Sequence, residues 1–391
     1  MAYRLYRTIG VGLATALAAW PLAASAQYLI VGIDEKVTWD DKGTPVIAPP
    51  GKDSVSILDI KNPGAPRLVV GLPLQNSVFG PPTNLAITPD NKLALVANSV
   101  VATQDGAVWK TPPDNKVYVI DLTAKPPAQI GTVEVGKQPS GMAISKTGDL
   151  ALVTNRADNS VSVLSIKGTE VKVTDTLAMG DSVSAVAITP DGKWALATKP
   201  TANKVALLAI DGGKVTYGKQ DIAVGVFPYN LVIAGGGRIA VTADNGAGGA
   251  SDGSVDTLTV IDLQGPHPHA IDKVVVDEAP EGIAVSPKGD LVIAVLLNGS
   301  AGVAKDVWFA RPKGRLAVFR VEGTKLTRTA YIDVGKLPEG AAFSPDGGYF
   351  YVGNFVDHDI EIFKVTGDKL ISTGKPLMLP GAPASIRSSA E

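Results

Sequence analysis

The sequence predicts an all-β chain folded as a seven-bladed β-propeller of four-stranded antiparallel blades, with the first blade closed by the C-terminal strand. Three observations predict it. A Pro-led unit with a basic length of about 45 residues recurs along the chain. Most units carry a Ser/Thr-Pro-Asp-Gly type of turn followed by a short apolar strand, and the AGGGR at Ala234 to Arg238 is a degenerate form of it. Two incomplete units, one at each end of the chain, complement each other.

The units open at Pro82, Pro139, Val183 (where proline is expected), Pro228, Pro280 and Pro338, and Pro383 repeats the anchor near the end. Successive spacings are 57, 44, 45, 52, 58 and 45 residues, so three units have received insertions. The turn recurs as Thr88-Pro89-Asp90-Asn91, Ser145-Lys146-Thr147-Gly148, Thr189-Pro190-Asp191-Gly192 and Ser344-Pro345-Asp346-Gly347. Its chemistry is local: proline presets φ, aspartate bonds nearby backbone, and glycine accepts positive φ. The strands after it, such as LALVAN ending at Asn98 and LALVTN ending at Asn155, are apolar without clean alternation. Blades stacked face to face bury a middle strand on both sides, which demands such runs. Segments this short and this rich in Val and Ile are strands rather than helices.

At the N-terminus, YLIVGIDEK from Tyr28 aligns with YFYVGNFVD from Tyr349, and DSVSILDI from Asp53 matches the following strand. Every strand of a blade is then present except the innermost, which Pro383 to Arg387 supplies. Closure removes the open sheet edge. The blades are expected at 28–81 with 382–388, then 82–138, 139–182, 183–227, 228–279, 280–337 and 338–381, as one domain over 27–391.

These motifs resemble the YVTN-repeat propellers, a superfamily that includes the seven-bladed, 6-phosphogluconolactonase-like proteins. LVTN at Leu152 to Asn155, YVGN at Tyr351 to Asn354, LVAN at Leu95 to Asn98 and the turns carry the resemblance over nearly all of the chain after its leader. It implies the propeller fold and admits lactone hydrolysis. Such motifs are turn and strand-end chemistry and say little about activity.

Residues 1–26 read as a cleavable signal: Arg4 and Arg7, an apolar run from Thr8 to Ala24, and the small-residue site Ala24-Ser25-Ala26. Export would cut before Gln27, placing the chain in the periplasm or outside the cell. Removing 26 residues from 391 leaves 365, with 34 basic and 38 acidic side chains. That mild acidity argues against a nucleic-acid partner. No later stretch is long and apolar enough to span a membrane, and a monomer is expected. With no cysteine, four methionines and three histidines, thiolate metal sites, a cysteine nucleophile and c-type haem are excluded, and copper or haem ligation is disfavoured. There is no Gly-x-Ser-x-Gly elbow, His-Glu-x-x-His helix or phosphate loop.

In a blade with strands A to D from the axis outward, the loop entering A and the B–C loop share one face. The anchors precede A and the insertions follow B, so both crowd one rim of the central channel. Long B–C loops are expected in blades 1 (with Trp39), 2 (Trp109 and Lys110), 5 (Gly246 to Gly253) and 6 (Trp308, Phe309 and Arg311). They would face each other across the mouth and leave a groove towards blade 7 and towards blades 3 and 4. The competing expectation is that the tryptophans are merely the small cores of these flaps.

Residues just after each anchor point at the channel: Thr83 and Asn84, Ser140, Ser184, Tyr229 and Asn230, Glu281 and Glu339. Glu281 and Glu339 occupy the same position in adjacent blades. Converging carboxyls could raise one pKa for acid–base work or hold a divalent cation such as Ca²⁺, although no cofactor is required by the sequence. The alternative is pairing with Lys137, Lys336 or Lys199 at a solvated mouth. Arg156 and Lys199, beside the channel, could receive an anionic group. Asn84, Tyr229, Arg311 and the three tryptophans complete the candidate ligand contacts. His358 is the only histidine expected on this face, too few for a histidine-based metal site.

Two functions follow as expectations. The first is a binding protein of the cell envelope, taking a small molecule or partner protein at the mouth. The second, implied by the resemblance, is a lactone hydrolase with Glu281 or Glu339 as acid/base. An accessory role beside a quinoprotein-type dehydrogenase rests on fold analogy alone.

Overall fold

The computed structural model describes residue 1 and residues 27–389; the expected leader otherwise lies outside the described residues. Seven four-stranded blades form the ring. Blade 1 comprises Pro383–Ser388 as strand A, Tyr28–Ile33 as B, Ser54–Asp59 as C and Arg67–Leu72 as D. The remaining blades run A to D in chain order, with A strands at Leu85–Ile87, Pro139–Ile144, Val186–Ile188, Pro228–Ala234, Pro280–Val285 and Pro338–Phe343. Among the described residues the only helical turn is Pro200–Ala202, and no helix is long and apolar enough to cross a membrane.

The closing register sets Leu29 opposite Ser388 and Ile33 opposite Pro383. Around this ladder, the Tyr28 N–H donates to Ser389 Oγ at 2.8 Å and the Asp34 N–H to the Ala382 carbonyl at 3.0 Å. The last strand and the strand from Tyr28 are therefore joined by an antiparallel ladder, with one register shift between Gly32 and Ile33.

Strand B of each blade is buried on both faces, as its unbroken apolar run requires. Leu93 to Ala97 and Leu291 to Leu296 are buried throughout, and they pack into clusters that each join two neighbouring blades. In the turn before strand B, the Ser344 hydroxyl donates to Asp346 Oδ1 and accepts the Tyr349 N–H, while Gly347 takes φ +69°. The hydroxyl thus locks the turn, and aspartate orients it through both Ser344 and the Gly348 N–H.

The B–C insertions of blades 1 and 2 are hairpins: Val37–Trp39 with Pro45–Ile47, and Thr103–Asp105 with Val108–Lys110. The blade 1 hairpin leans onto the blade 6 insertion, where Lys42 pairs with Ala304 and the Lys305 ammonium meets Asp41 at 2.6 Å. The open groove expected towards blade 7 is consequently bridged. Its short loop leaves space above Phe355, into which Trp39 packs edge-on at 5.6 Å. Beneath the hairpin, buried Lys36 bridges Asp34 at 3.2 Å and Asp53 at 2.8 Å and donates to the Asn76 carbonyl, anchoring the flap to the blade.

Candidate functional site

The site grows from the way inner strands pack near the axis. A side chain at the second position after the anchor would collide with the next blade: a Cβ on Gly282 would come within 2.4 Å of the Glu339 carbonyl, and one on Gly340 within 2.3 Å of the Ile386 nitrogen. Glycine there lets the blades close, and the preceding glutamates are left at the channel mouth. Glu281 and Glu339 line one cavity of about 360 Å³ with Arg156 and Tyr229. Trp39 and Pro45 of the blade 1 flap, Thr111 of blade 2, and Gly248 and Gly249 of blade 5 also border it.

Both carboxyls are buried, at 5% and 2% exposure, and neither forms an ion pair among the described residues. The lysine partners considered from sequence do not reach them. Burial pushes the Glu281 carboxyl up to about 8, opposed by the Arg156 charge. Burial and then the Glu281 charge push Glu339 well above the ordinary carboxyl range. The pair therefore keeps protons at neutral pH and ionises stepwise, because one charge opposes the next. Glu339 Oε2 has no hydrogen-bond partner in the protein. A buried carboxyl oxygen without a partner, on the wall of a cavity, is placed for a ligand or water.

Arg156 lies with its guanidinium carbon 5.5 Å from the Tyr229 ring centre, and Phe227 stacks on Tyr229 at 5.9 Å. Burial is the main cause holding the Tyr229 hydroxyl protonated, and the Glu281 and Glu339 charges add to it against Arg156. The cluster thus combines two carboxyls of unequal acidity, a neutral phenol and a fixed cation. Such a set can move a proton in each direction while stabilising an oxyanion.

Other residues singled out from sequence have different surroundings. Lys199 is held by Asp181 at 3.0 Å and Asp221 at 3.1 Å. Burial lowers its pKa, but hydrogen bonds to Asp181, Asp221 and Tyr217 outweigh that and raise it, so its charge is already matched. The Asn84 amide donates to the Ala97 carbonyl at 2.7 Å, within its own blade. Trp109 pairs across its hairpin with Gln104 and borders none of the cavities described here. Trp308 is 74% exposed and packs edge-on against Phe309, while Arg311 donates to the Trp308 carbonyl at 3.1 Å. Trp39 alone of the three borders the central cavity.

A second cavity, of about 620 Å³, lies under the bridge between the blade 1 and blade 6 flaps and shares Trp39 with the first. His358 and Arg311 border it. Among the described residues, no group of three or more His, Asp or Glu is placed to hold a metal ion. Calcium takes about six to eight oxygen ligands, and the acidic side chains that border the central cavity are Glu281 and Glu339. Sequence reasoning missed Gln138, although it stands directly before the anchor Pro139 and takes the same left-handed φ as Phe227, Ala279 and Leu337 before theirs, a repeat position that could have signalled it.

No protein-family model matches the chain, and no curated protein matches it. Solved structures do. A candidate 6-phosphogluconolactonase of Bacteroides fragilis is 17% identical, with a TM-score of 0.70 over 94% of this chain and 99% of that one. A periplasmic gluconolactonase of Pseudomonas aeruginosa is 18% identical, with a TM-score of 0.67 over 93% and 99%. A protein of unknown function from Desulfotomaculum acetoxidans is 15% identical, with a TM-score of 0.69 over 93% and 99%. At these identities the likeness is one of fold, and the chain is a seven-bladed β-propeller of the architecture these solved structures share.

Proposed function

We propose that the chain is a lactone hydrolase whose acid–base pair is Glu281 and Glu339. The observation that carries this is the convergence of two proton-holding carboxyls, one with an unpartnered oxygen, beside a single arginine in the channel-mouth cavity. The fold shared with lactonases supports the same reading.

In the singly ionised pair, Glu281 carries the charge because Arg156 favours its ionised form. It takes a proton from water as the water oxygen bonds to the lactone carbonyl carbon. Arg156 and the Tyr229 hydroxyl stabilise the resulting oxyanion. As the ring C–O bond breaks, Glu339 gives its proton to the departing ring oxygen. The proton on Glu281 then restores the pair, and the hydroxy acid ionises on release.

Hydrolysis of a panel of lactones, followed by proton release at fixed pH with and without a chelator, tests this. Turnover that ignores chelator and is lost in Glu339→Gln without any fall in melting temperature supports it. A flat response across the panel would overturn it.

A binding role in the cell envelope is the second reading, favoured by the wide cavity under the bridged flaps. Ligand-dependent melting without turnover would support that instead. Under either reading the leader-like residues 1–26 support export to the periplasm or the exterior.

A further inference from the structure

We propose that the channel-mouth cavity binds an organic carboxylate as an acid–carboxylate pair, with one ligand oxygen on the Arg156 guanidinium and the other accepting the proton of Glu339. Binding is thereby linked to proton uptake. This deepens the hydrolase reading, since ring opening yields such a carboxylate, and it rests on that reading only for the consequence that the product inhibits.

The first observation is an orphan oxygen. Glu339 is buried and its Oε2 has no hydrogen-bond partner, yet the residue borders a cavity. A carboxyl that keeps its proton there has an O–H to donate, and an ionised oxygen is the acceptor that makes the strongest bond with it.

The second is an unmatched cation. Arg156 forms no ion pair among the described residues and is the one cationic side chain that borders the cavity. Gly80, at φ +146°, places no side chain over it: a Cβ there would stand 3.8 Å from Arg156 Nη1.

The third is the balance of charge. Arg156, Tyr229, Glu281 and Glu339 face one another, and no other titratable side chain borders the cavity. Burial pushes Glu281 up to about 8 and Glu339 well above the ordinary carboxyl range. Burial also keeps the Tyr229 phenol protonated. At neutral pH the lining therefore carries one net positive charge, which a monocarboxylate cancels and its neutral amide does not. Once pH passes about 8, Glu281 ionises and cancels the Arg156 charge itself. A carboxylate then binds only if one proton is regained, so its affinity is full below about pH 8 and falls about tenfold per pH unit above it.

Calorimetric titration of the full chain with gluconate and 4-hydroxybutyrate, each against its amide, tests this between pH 6.5 and 9.5 in two buffers of different ionisation enthalpy. Both acids stay ionised throughout that range. At pH 6.5 at least one carboxylate should bind about tenfold or more tighter than its amide. From pH 8.5 to 9.5 its affinity should fall about tenfold, with uptake approaching one proton per ligand. In the double variant Glu281→Gln with Glu339→Gln, which cannot ionise, the affinity should be equal at both ends of the range. Binding of neither carboxylate, binding no tighter than the amide, or wild-type affinity that ignores pH would overturn the inference, as would a double variant that keeps the wild-type pH dependence. The wild-type series decides the matter even if the double variant does not fold. Lactone turnover measured alongside separates the two readings. Turnover that neither carboxylate inhibits overturns the inference and leaves the hydrolase standing, whereas proton-linked binding without turnover supports the inference while the hydrolase reading falls.

Discussion

Replacing Glu281 by glutamine is expected to stabilise the protein and abolish its activity together. Burial pushes the Glu281 carboxyl from an ordinary 4.5 to about 8. The folded chain therefore holds this proton more tightly than the unfolded chain does. That contribution to stability is complete below about pH 4.5 and is lost as pH rises through about 8. At pH 7 the forced retention of the proton costs about 3 kcal/mol relative to a carboxyl that stays neutral in both states. Water entering the cavity screens part of this, leaving about 1–3 kcal/mol to be recovered by Glu281→Gln, which behaves as a carboxyl that never ionises. For a chain of this size the gain is about 1–4 °C in melting temperature. The assay is calorimetric melting at pH 4 and pH 8: the variant should match wild type at pH 4 and exceed it at pH 8. Lactone hydrolysis should fall by about 10²–10⁴, the usual contribution of a general base. A variant less stable than wild type at pH 8, or one that stays active, would refute the reasoning.

Other outcomes follow from the same structure. The pH profile of kcat/KM should rise towards an alkaline optimum, because the base is formed only as the first proton leaves near 8; an ascending limb near pH 4.5 would contradict this. Arg156→Met should lower kcat/KM by about 100-fold with little change in melting, read by steady-state kinetics. Lys36→Met leaves Asp34 and Asp53 facing each other in a buried space and should cost about 3–5 kcal/mol in urea unfolding, less at low pH, where Asp34, whose carboxyl burial pushes up, can take up a proton. Deleting residues 382–391 removes strand A of blade 1, including the fully buried Ile386, and opens the ring. Its melting curve should show a larger loss than the roughly 3–5 kcal/mol of a single core truncation, whereas a frayed tail would cost almost nothing.

The ring was legible because most blades repeat the same local chemistry. The proline anchors and hydroxyl-locked turns occur at fixed offsets, so even the split first blade could be completed from Tyr28 and Pro383. Glu281, Glu339 and Tyr229 were legible for the same reason, since equivalent repeat positions must converge at the axis. What the repeat does not encode was harder to read. Lys199 looked free because its partner Asp181 comes from the loop entering its blade and Asp221 from a different strand, with nothing in local spacing to signal either. Asn84 shares the anchor with Thr83, yet its amide turns back to the Ala97 carbonyl. The flaps follow no repeat, so Trp39, Trp109 and Trp308 looked alike in sequence. Only the bridge from Lys42 to Ala304 and the packing on Phe355 set Trp39 apart.

The central claim is that Glu281 and Glu339 act as one proton-transferring unit on a lactone. It is tested most directly by measuring kcat/KM for a turned-over lactone in Glu281→Gln, Glu339→Gln and the double variant. Groups that act as a unit are lost together, so each single change should cost nearly as much as both. Two modest losses that add in the double variant, or a single variant that keeps wild-type turnover, would contradict the account.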